Sequence, residues 1–173
     1  MKMKTKYLLF VPAILILLAC NGNERVYQEK IEFPADVTAF QTGDSICHGS
    51  DSPEMKIVVY TDSSGCTGCK LQLDSWKFYM ESLSKKYDDK ILFMFYLQPH
   101  DKDELLFVLD SEEFNYPVYI DVDNQFGTLN ALQSDEVFLL DKNDRVLLAG
   151  NPLESAKKKA AYEDAINDYL NKK

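Results

Sequence analysis

The chain has 173 residues, 46% of them hydrophobic and 27% charged, which is the composition of one globular domain large enough to fold without disulfide staples. Nineteen basic residues against 28 acidic ones leave a net charge of −9, which excludes a nucleic-acid-binding chain because the phosphate backbone would repel it. Composition also excludes collagen-like, low-complexity and multi-span membrane classes.

The N-terminus reads as a targeting segment. Lys2, Lys4 and Lys6 precede an apolar run from Tyr7 to Leu18, too short for a bilayer span, which needs about 20 apolar residues. The run closes with Leu17-Leu18-Ala19-Cys20, which resembles a bacterial lipobox. That resemblance implies that residues 1–19 are a signal peptide and that Cys20 is lipidated and becomes the first residue of the mature chain. An ordinary secretory signal and an uncleaved anchor are the alternatives. Cleavage takes the length from 173 to 154 residues and the net charge from −9 to −12. The expected location is the bacterial cell envelope, facing the periplasm or the cell surface, with lipid as the membrane anchor and disulfides permitted.

Residues 20–30 read as a lipidated tether and 31–173 as one domain. Ile31, Phe33, Val37 and Phe40 suggest a strand followed by loop, and Thr42 to Glu54 is loop-rich in Gly, Ser, Asp and Pro. Met55 to Thr61 is short and β-branched, which predicts a buried strand. After the turn Asp62-Ser63-Ser64-Gly65 comes Cys66-Thr67-Gly68-Cys69. From Cys69 the period becomes helical: Cys69, Leu73, Trp76, Met80, Leu83 and Tyr87 form one apolar stripe. Lys70 and Asp74 stand four apart on the polar side.

Ile91 to Leu97 predicts a second strand. Asp101, with Glu104 three residues on, is an acidic variant of the capping box and predicts a helix over about 102–112. Pro117 to Asp121 reads as a third strand, and Phe126 to Leu132 as one or two helical turns. Glu136–Leu140 and Arg145–Ala149 predict a hairpin around Asp141-Lys142-Asn143-Asp144. Asn151-Pro152-Leu153-Glu154 opens a last helix, with Asn as cap and Pro at the first helical position. Alternating strands and helices predict an α/β fold, a mixed sheet flanked by helices on both faces, parallel early and antiparallel at the late hairpin.

Cys66 and Cys69 carry the chemistry. A thiol at a helix N-terminus meets free N–H groups and about half a positive charge, which favours the thiolate. One thiolate can attack a substrate disulfide and the other can resolve the mixed disulfide. A structural disulfide and a metal site are the competing readings. Cys47 and His48 would complete a Cys3His set, although adjacent Cys and His rarely ligate one ion and there is no second C-x-x-C. Covalent haem would want His after the second cysteine, where Lys70 stands. Cys47 reads as an unpaired thiol, with a third redox participant as the alternative. Tyr60, Phe93, Phe95, Tyr96, Tyr119, Phe138 and Trp76 read as core, His100 as a loop residue, and Asp121-Val122-Asp123-Asn124-Gln125 as a turn rather than a calcium loop.

The segment 57–70, with Cys66-Thr67-Gly68-Cys69 between strand and helix, resembles the redox centre of the thioredoxin superfamily. The element order, with an extra helix and strand at about 102–121, resembles its TlpA/ResA branch of membrane-tethered thiol–disulfide oxidoreductases, over roughly residues 31–172. The resemblance implies a thioredoxin-like fold, Cys66 as nucleophile, Cys69 as resolving thiol, protein thiols and disulfides as partners, and no cofactor or metal. The sequence departs from the family at three places. Gly65 replaces the usual Trp before the motif. Tyr60 stands near the position that often holds a buried acid. Ser134-Asp135-Glu136-Val137-Phe138 lacks the cis-proline that faces the disulfide, which predicts a trans peptide or another loop there. The last departure leaves a second function open, a redox-inactive thioredoxin-fold lipoprotein serving as a binding or accessory module.

Overall fold

A computed structural model describes residues 29–37, 39–40, 53–64 and 71–172. Among the described residues a six-stranded mixed sheet runs in the order β1-β4-β3-β2-β5-β6. Its strands are β1 (Ala39–Phe40), β2 (Met55–Thr61), β3 (Ile91–Leu97), β4 (Val118–Ile120), β5 (Glu136–Asp141) and β6 (Val146–Ala149). The helices are α1 (Leu73–Tyr87), α2 (Lys102–Ser111), α3 (Gln125–Leu129) and α4 (Ala156–Asn171), with a 3-10 turn over Pro152–Glu154. β2, β3 and β4 are mutually parallel, whereas β5 is antiparallel to both β2 and β6, and β1 is antiparallel to β4. This is the expected α/β order, with α2 and β4 as the extra helix and strand.

Alternation along β2 assigns each face of the sheet its own core. Met55, Ile57 and Val59 join Phe95, Val137 and Leu139 under the apolar stripes of α1, α2 and α4. Val58 and Tyr60 join Tyr96, Phe138 and Leu140 on the other face, beneath Phe126 of α3 and Ile31 of the N-terminal segment. The aromatic strand residues supply much of both cores. Trp76 meets Phe95 edge-on, with ring centroids 5.7 Å apart, and Tyr96 stacks on Phe126 at 4.2 Å.

Several boundaries depart from the sequence reading. The stripe predicted one helix running from Cys69, but Gln72 adopts a left-handed backbone (φ 46°), and the described helix begins at Leu73. Tyr79, which lies off the predicted spacing, is buried on its inner face. Asp74 pairs with Lys77 at 2.7 Å, while Lys70, the partner that the spacing offers it, lies outside the described residues. At the last helix, Asn151 caps the 3-10 turn by accepting from the Leu153 N–H at 2.9 Å, while Ser155 caps α4 by accepting from the Lys158 N–H at 3.2 Å. Pro152 therefore starts the short turn rather than the long helix. In the N-terminal segment the paired strand is Ala39–Phe40. Further upstream Lys30 makes only an isolated bridge to Arg145, and the Ile31 N–H donates to the Asp144 carbonyl at 2.9 Å. Asn130 holds the next residue. It accepts from the Glu32 N–H and returns an Nδ2 bond to the Glu32 carbonyl, both at 2.9 Å, as a neighbouring strand would.

The Asp101 cap stands as expected, its carboxylate accepting from the N–H groups of Asp103 and Glu104. No helix among the described residues is long and apolar enough to cross a membrane.

Candidate functional site

β2 lies at the centre of the sheet, paired to β3 on one side and β5 on the other. Its carboxyl end is Thr61, and the connection from there to α1 spans residues 62–72. Cys66 and Cys69 fall in this connection but lie outside the described residues, as do Cys20, Cys47, His48 and Gly65. The site is therefore built from its two flanks.

On the strand side, the Asp62 carboxylate folds the chain into a turn. Its Oδ1 accepts from the Ser64 N–H at 3.0 Å and from the Ser64 hydroxyl at 2.6 Å. The Asp62 N–H in turn donates to Oδ1 of Asp135 at 2.8 Å. The loop that leads into β5 is thereby fastened to the turn that leads toward the cysteines. Asp135 occupies the stretch in which the resemblance puts a cis-proline. Every peptide bond among the described residues is trans, the Asp135–Glu136 bond included. On the helix side, Leu71 is buried in the core under α1. Ser64 and Leu71 line one small cleft together with Leu97, His100 and Leu105. His100 thus stands at the rim of this cleft, in the loop between β3 and α2.

Tyr60 stands near the position that the resemblance assigns to a buried acid. Its side chain lies on the α3 face of the sheet, opposite the face covered by α1. The hydroxyl donates to Oδ1 of Asn124 at 2.8 Å. Burial pushes the phenol up to about 12, helped by the negative charges of Asp62, Asp121 and Asp135 and opposed by the bond to Asn124. At neutral pH it is a neutral donor within the core, not a proton acceptor.

Sequence reasoning missed two residues at this end of the sheet. Glu136 is only 8% exposed, on the first position of β5 and directly across from Tyr60. Asp135 beside it is exposed and makes the bond to Asp62. The visible signal was a pair of acids placed immediately before the apolar run Val137–Leu140, where a strand buried on both faces begins. The acidic stretch at 121–125 has a structural use instead: the two Asp121 oxygens accept from the N–H groups of Gln125 (2.8 Å) and Phe126 (2.7 Å) at the start of α3. Among the described residues no three His, Cys, Asp or Glu side chains are grouped as metal ligands would be.

No protein-family model matches the chain, and no curated protein matches it. Solved structures do. A Chlorobium tepidum protein provisionally named a thiol:disulfide interchange protein DsbE is similar at a TM-score of 0.54 and 19% identity, over 69% of this chain and 82% of that one. A Bacteroides thetaiotaomicron protein provisionally named a protein disulfide isomerase is similar at 0.54 and 16% identity, over 84% of this chain and 92% of that one. A domain from Cytophaga hutchinsonii, provisionally named a thiol-disulfide isomerase, is similar at 0.52 and 13% identity, over 70% and 81%. With its central parallel strands, antiparallel hairpin and helices on both faces, the chain has a thioredoxin-like fold.

Proposed function

We propose that the protein is an extracytoplasmic, lipid-anchored thiol–disulfide oxidoreductase that exchanges disulfides with protein thiols through Cys66 and Cys69. The observation that carries this reading is the position of the motif in the fold. The two cysteines lie in the connection between the carboxyl end of the central strand β2 and the amphipathic helix α1. Each is two residues from a described wall of the same cleft, Cys66 from Ser64 and Cys69 from Leu71. The names of the similar structures, all of thiol–disulfide interchange or isomerase type, agree with this assignment.

In the proposed reaction the Cys66 thiolate attacks a disulfide of the partner protein, forming a mixed disulfide and expelling one partner thiolate. The Cys69 thiolate then attacks Cys66, forming the intramolecular disulfide and expelling the second partner thiolate, so that two electrons pass to the partner. Running the same steps backwards oxidises a partner dithiol. The proposed organisation is a signal peptide over residues 1–19, a tether over 20–30 lipidated at Cys20, and a catalytic domain over 31–173. The membrane is reached through the lipid, and nucleic acid is not a partner.

Trapping tests the reading. In the full chain with Cys69→Ser, the mixed disulfide on Cys66 is expected to accumulate and to carry partner proteins that dithiothreitol releases. The reduced full chain is also expected to reduce insulin disulfides. Insulin reduction no faster than that of a Cys66→Ser control would overturn the proposal. The second reading, a redox-inactive binding module, draws on the lack of proline in Ser134-Asp135-Glu136-Val137-Phe138, the stretch in which the resemblance puts a cis-proline. It predicts that Cys66→Ser lowers thermal stability yet leaves partner binding intact.

A further inference from the structure

An open groove of about 480 Å³ runs between the first turns of α1 and the start of α4. Tyr79, Pro152 and Leu153 give it an apolar lining. Phe78 lines it as well and is 71% exposed, although every other large apolar side chain of α1 is buried. Lys159 reaches over this aromatic wall. Its Nζ stands 5.9 Å from the ring centroid of Phe78 and 5.4 Å from that of Tyr79. An ammonium held over ring faces keeps its N–H donors for an anion.

The acids around Lys159 are engaged elsewhere. Asp74, which also lines the groove, pairs with Lys77 at 2.7 Å. Glu154 pairs with Lys158 at 2.5 Å, and Glu163, one turn beyond Lys159, pairs with Lys86 at 2.7 Å. Among the described residues Lys159 has no acid as a partner. Lys157, Lys158 and Lys159 are moreover the only run of three like charges in a chain whose net charge is −9. They occupy the first turn of α4, where the aligned peptide dipoles disfavour cations. The stability of the helix therefore does not account for the run, whereas an anion drawn to the groove does.

We propose that the α1–α4 groove is a docking site for an acidic segment of a partner protein. A carboxylate of that segment meets Lys159, and an aromatic or aliphatic side chain next to it covers Phe78. The concave shape favours a peptide segment over a membrane surface, because a flat surface would touch Phe78 without reaching the recessed Pro152. A partner seated here lies at the start of α1, into which the connection carrying Cys66 and Cys69 leads. The docking itself involves no redox step and holds for either function considered above.

The test is binding of a dansylated, amidated peptide, Gly-Glu-Leu-Phe-Asp-Glu, to the full chain. Trp76 is the sole tryptophan and packs on Tyr79 with centroids 6.0 Å apart, so energy transfer from it to dansyl reports binding at this face. Two control peptides need no protein variant: one with the three acids replaced by Lys, one with Leu and Phe replaced by Gly. Both are expected to bind more weakly. Lys159→Gln is expected to weaken binding of the acidic peptide about threefold at low ionic strength and to flatten its salt dependence. Phe78→Ser, at an exposed position, is expected to weaken it roughly fivefold. Lys172→Gln makes the same charge change at the far, exposed end of α4 and is expected to leave binding as it was.

No energy transfer at millimolar peptide, equal binding of the Lys-substituted peptide, or equal weakening by Lys172→Gln overturns the assignment. The same variants are compared on phosphatidylglycerol vesicles and by sedimentation, since any attachment through the N-terminus is common to all of them. Vesicle binding that falls in Lys159→Gln while peptide binding does not would make the groove a membrane contact. A dimer that only Lys159→Gln and Phe78→Ser dissociate would make it an interface between copies of the chain. Either result overturns the proposal, and none of these outcomes touches the redox reading, which insulin reduction tests separately.

Discussion

The hydroxyl of Tyr60 donates to the Asn124 side chain at 2.8 Å, and the backbone of α3 passes so close that a Cβ on Gly127 would lie 2.5 Å from that hydroxyl and 2.2 Å from Asn124 Oδ1. Gly127 is buried and helical, so glycine is kept there for space rather than for backbone freedom. Asn124, with φ 52°, sits in the left-handed region that Asn tolerates better than most residues. Strand, helix start and glycine form one fitted contact.

Gly127→Ala tests that contact. Helix propensity alone would favour Ala by about 1 kcal/mol. The overlap with two fixed oxygens forces either the tyrosine or α3 to move, at a cost of about 1–3 kcal/mol for overpacking. The expected net outcome is destabilisation, read as a lower urea midpoint with an unchanged slope. A rise in stability would show that the Tyr60–Asn124 pair yields freely.

The tyrosines govern the alkaline limit of stability. Burial raises the phenols of Tyr60, Tyr79, Tyr96, Tyr116 and Tyr119, with Tyr60 at about 12. In the unfolded chain these groups lose protons near pH 10. Above that pH the unfolded state therefore binds fewer protons than the folded one, so stability is full below pH 10 and falls as pH rises toward 12. Denaturant midpoints measured at pH 9, 10.5 and 11.5 are expected to fall in that order. Tyrosinate absorbance should lag behind that of a denatured sample over the same range. A flat midpoint through pH 11.5 would contradict the folded-state protonation of these phenols.

Much of this framework is legible in the sequence, because the elements that carry it are periodic and local. The stripe from Leu73 to Tyr87 marks α1, and the apolar runs mark β2, β3 and the β5–β6 hairpin. What sequence reading missed depends on distant partners or on single backbone angles. β1 has only two residues and is defined by pairing with β4, nearly eighty positions away. The left-handed Gln72 has no compositional signal, since Gln is an ordinary helix former. The sequence Asn-Pro-Leu-Glu satisfies every rule for opening a long helix, yet Ser155 behind it captures the cap. In the site, the cysteine motif is visible as spacing, whereas the Asp62–Asp135 bond joins residues 73 positions apart and is visible only in the fold.

Tyr79 offers a stabilising substitution. Its side chain is 1% exposed, and among the described residues its hydroxyl has no hydrogen-bond partner. A buried hydroxyl without a partner costs about 1–3 kcal/mol relative to one that is satisfied. Tyr79→Phe keeps the ring, its packing against Trp76 and its place beneath the Lys159 ammonium, which stands 5.4 Å from the ring centroid. The expected result is unchanged stability or a gain of up to about 1 kcal/mol by urea denaturation. A clear loss would show that the hydroxyl is satisfied, for instance by a bound water.

Asn130 supports the opposite face of the sheet. It is 5% exposed and makes three bonds, two to the backbone of Glu32 and one from Nδ2 to the Phe126 carbonyl at 2.9 Å. The segment beside Glu32 brings Ile31 and Phe33 onto the core that contains Tyr60 and Phe126. Removing the amide leaves the Glu32 N–H and two carbonyls short of partners, and partners of this kind are worth about 1 kcal/mol each. Asn130→Ala is thus expected to cost roughly 2–3 kcal/mol. Asn130→Asp retains an acceptor for the Glu32 N–H but turns the two donor contacts into repulsion between oxygens, so it should not restore stability. Hydrogen exchange separates a local effect from a global one. The Glu32 amide is expected to lose protection well beyond the global change, while the β2 amides follow the global change alone. Equal loss at both places would mean that this segment and the sheet unfold as one unit, and that Asn130 is no local clasp.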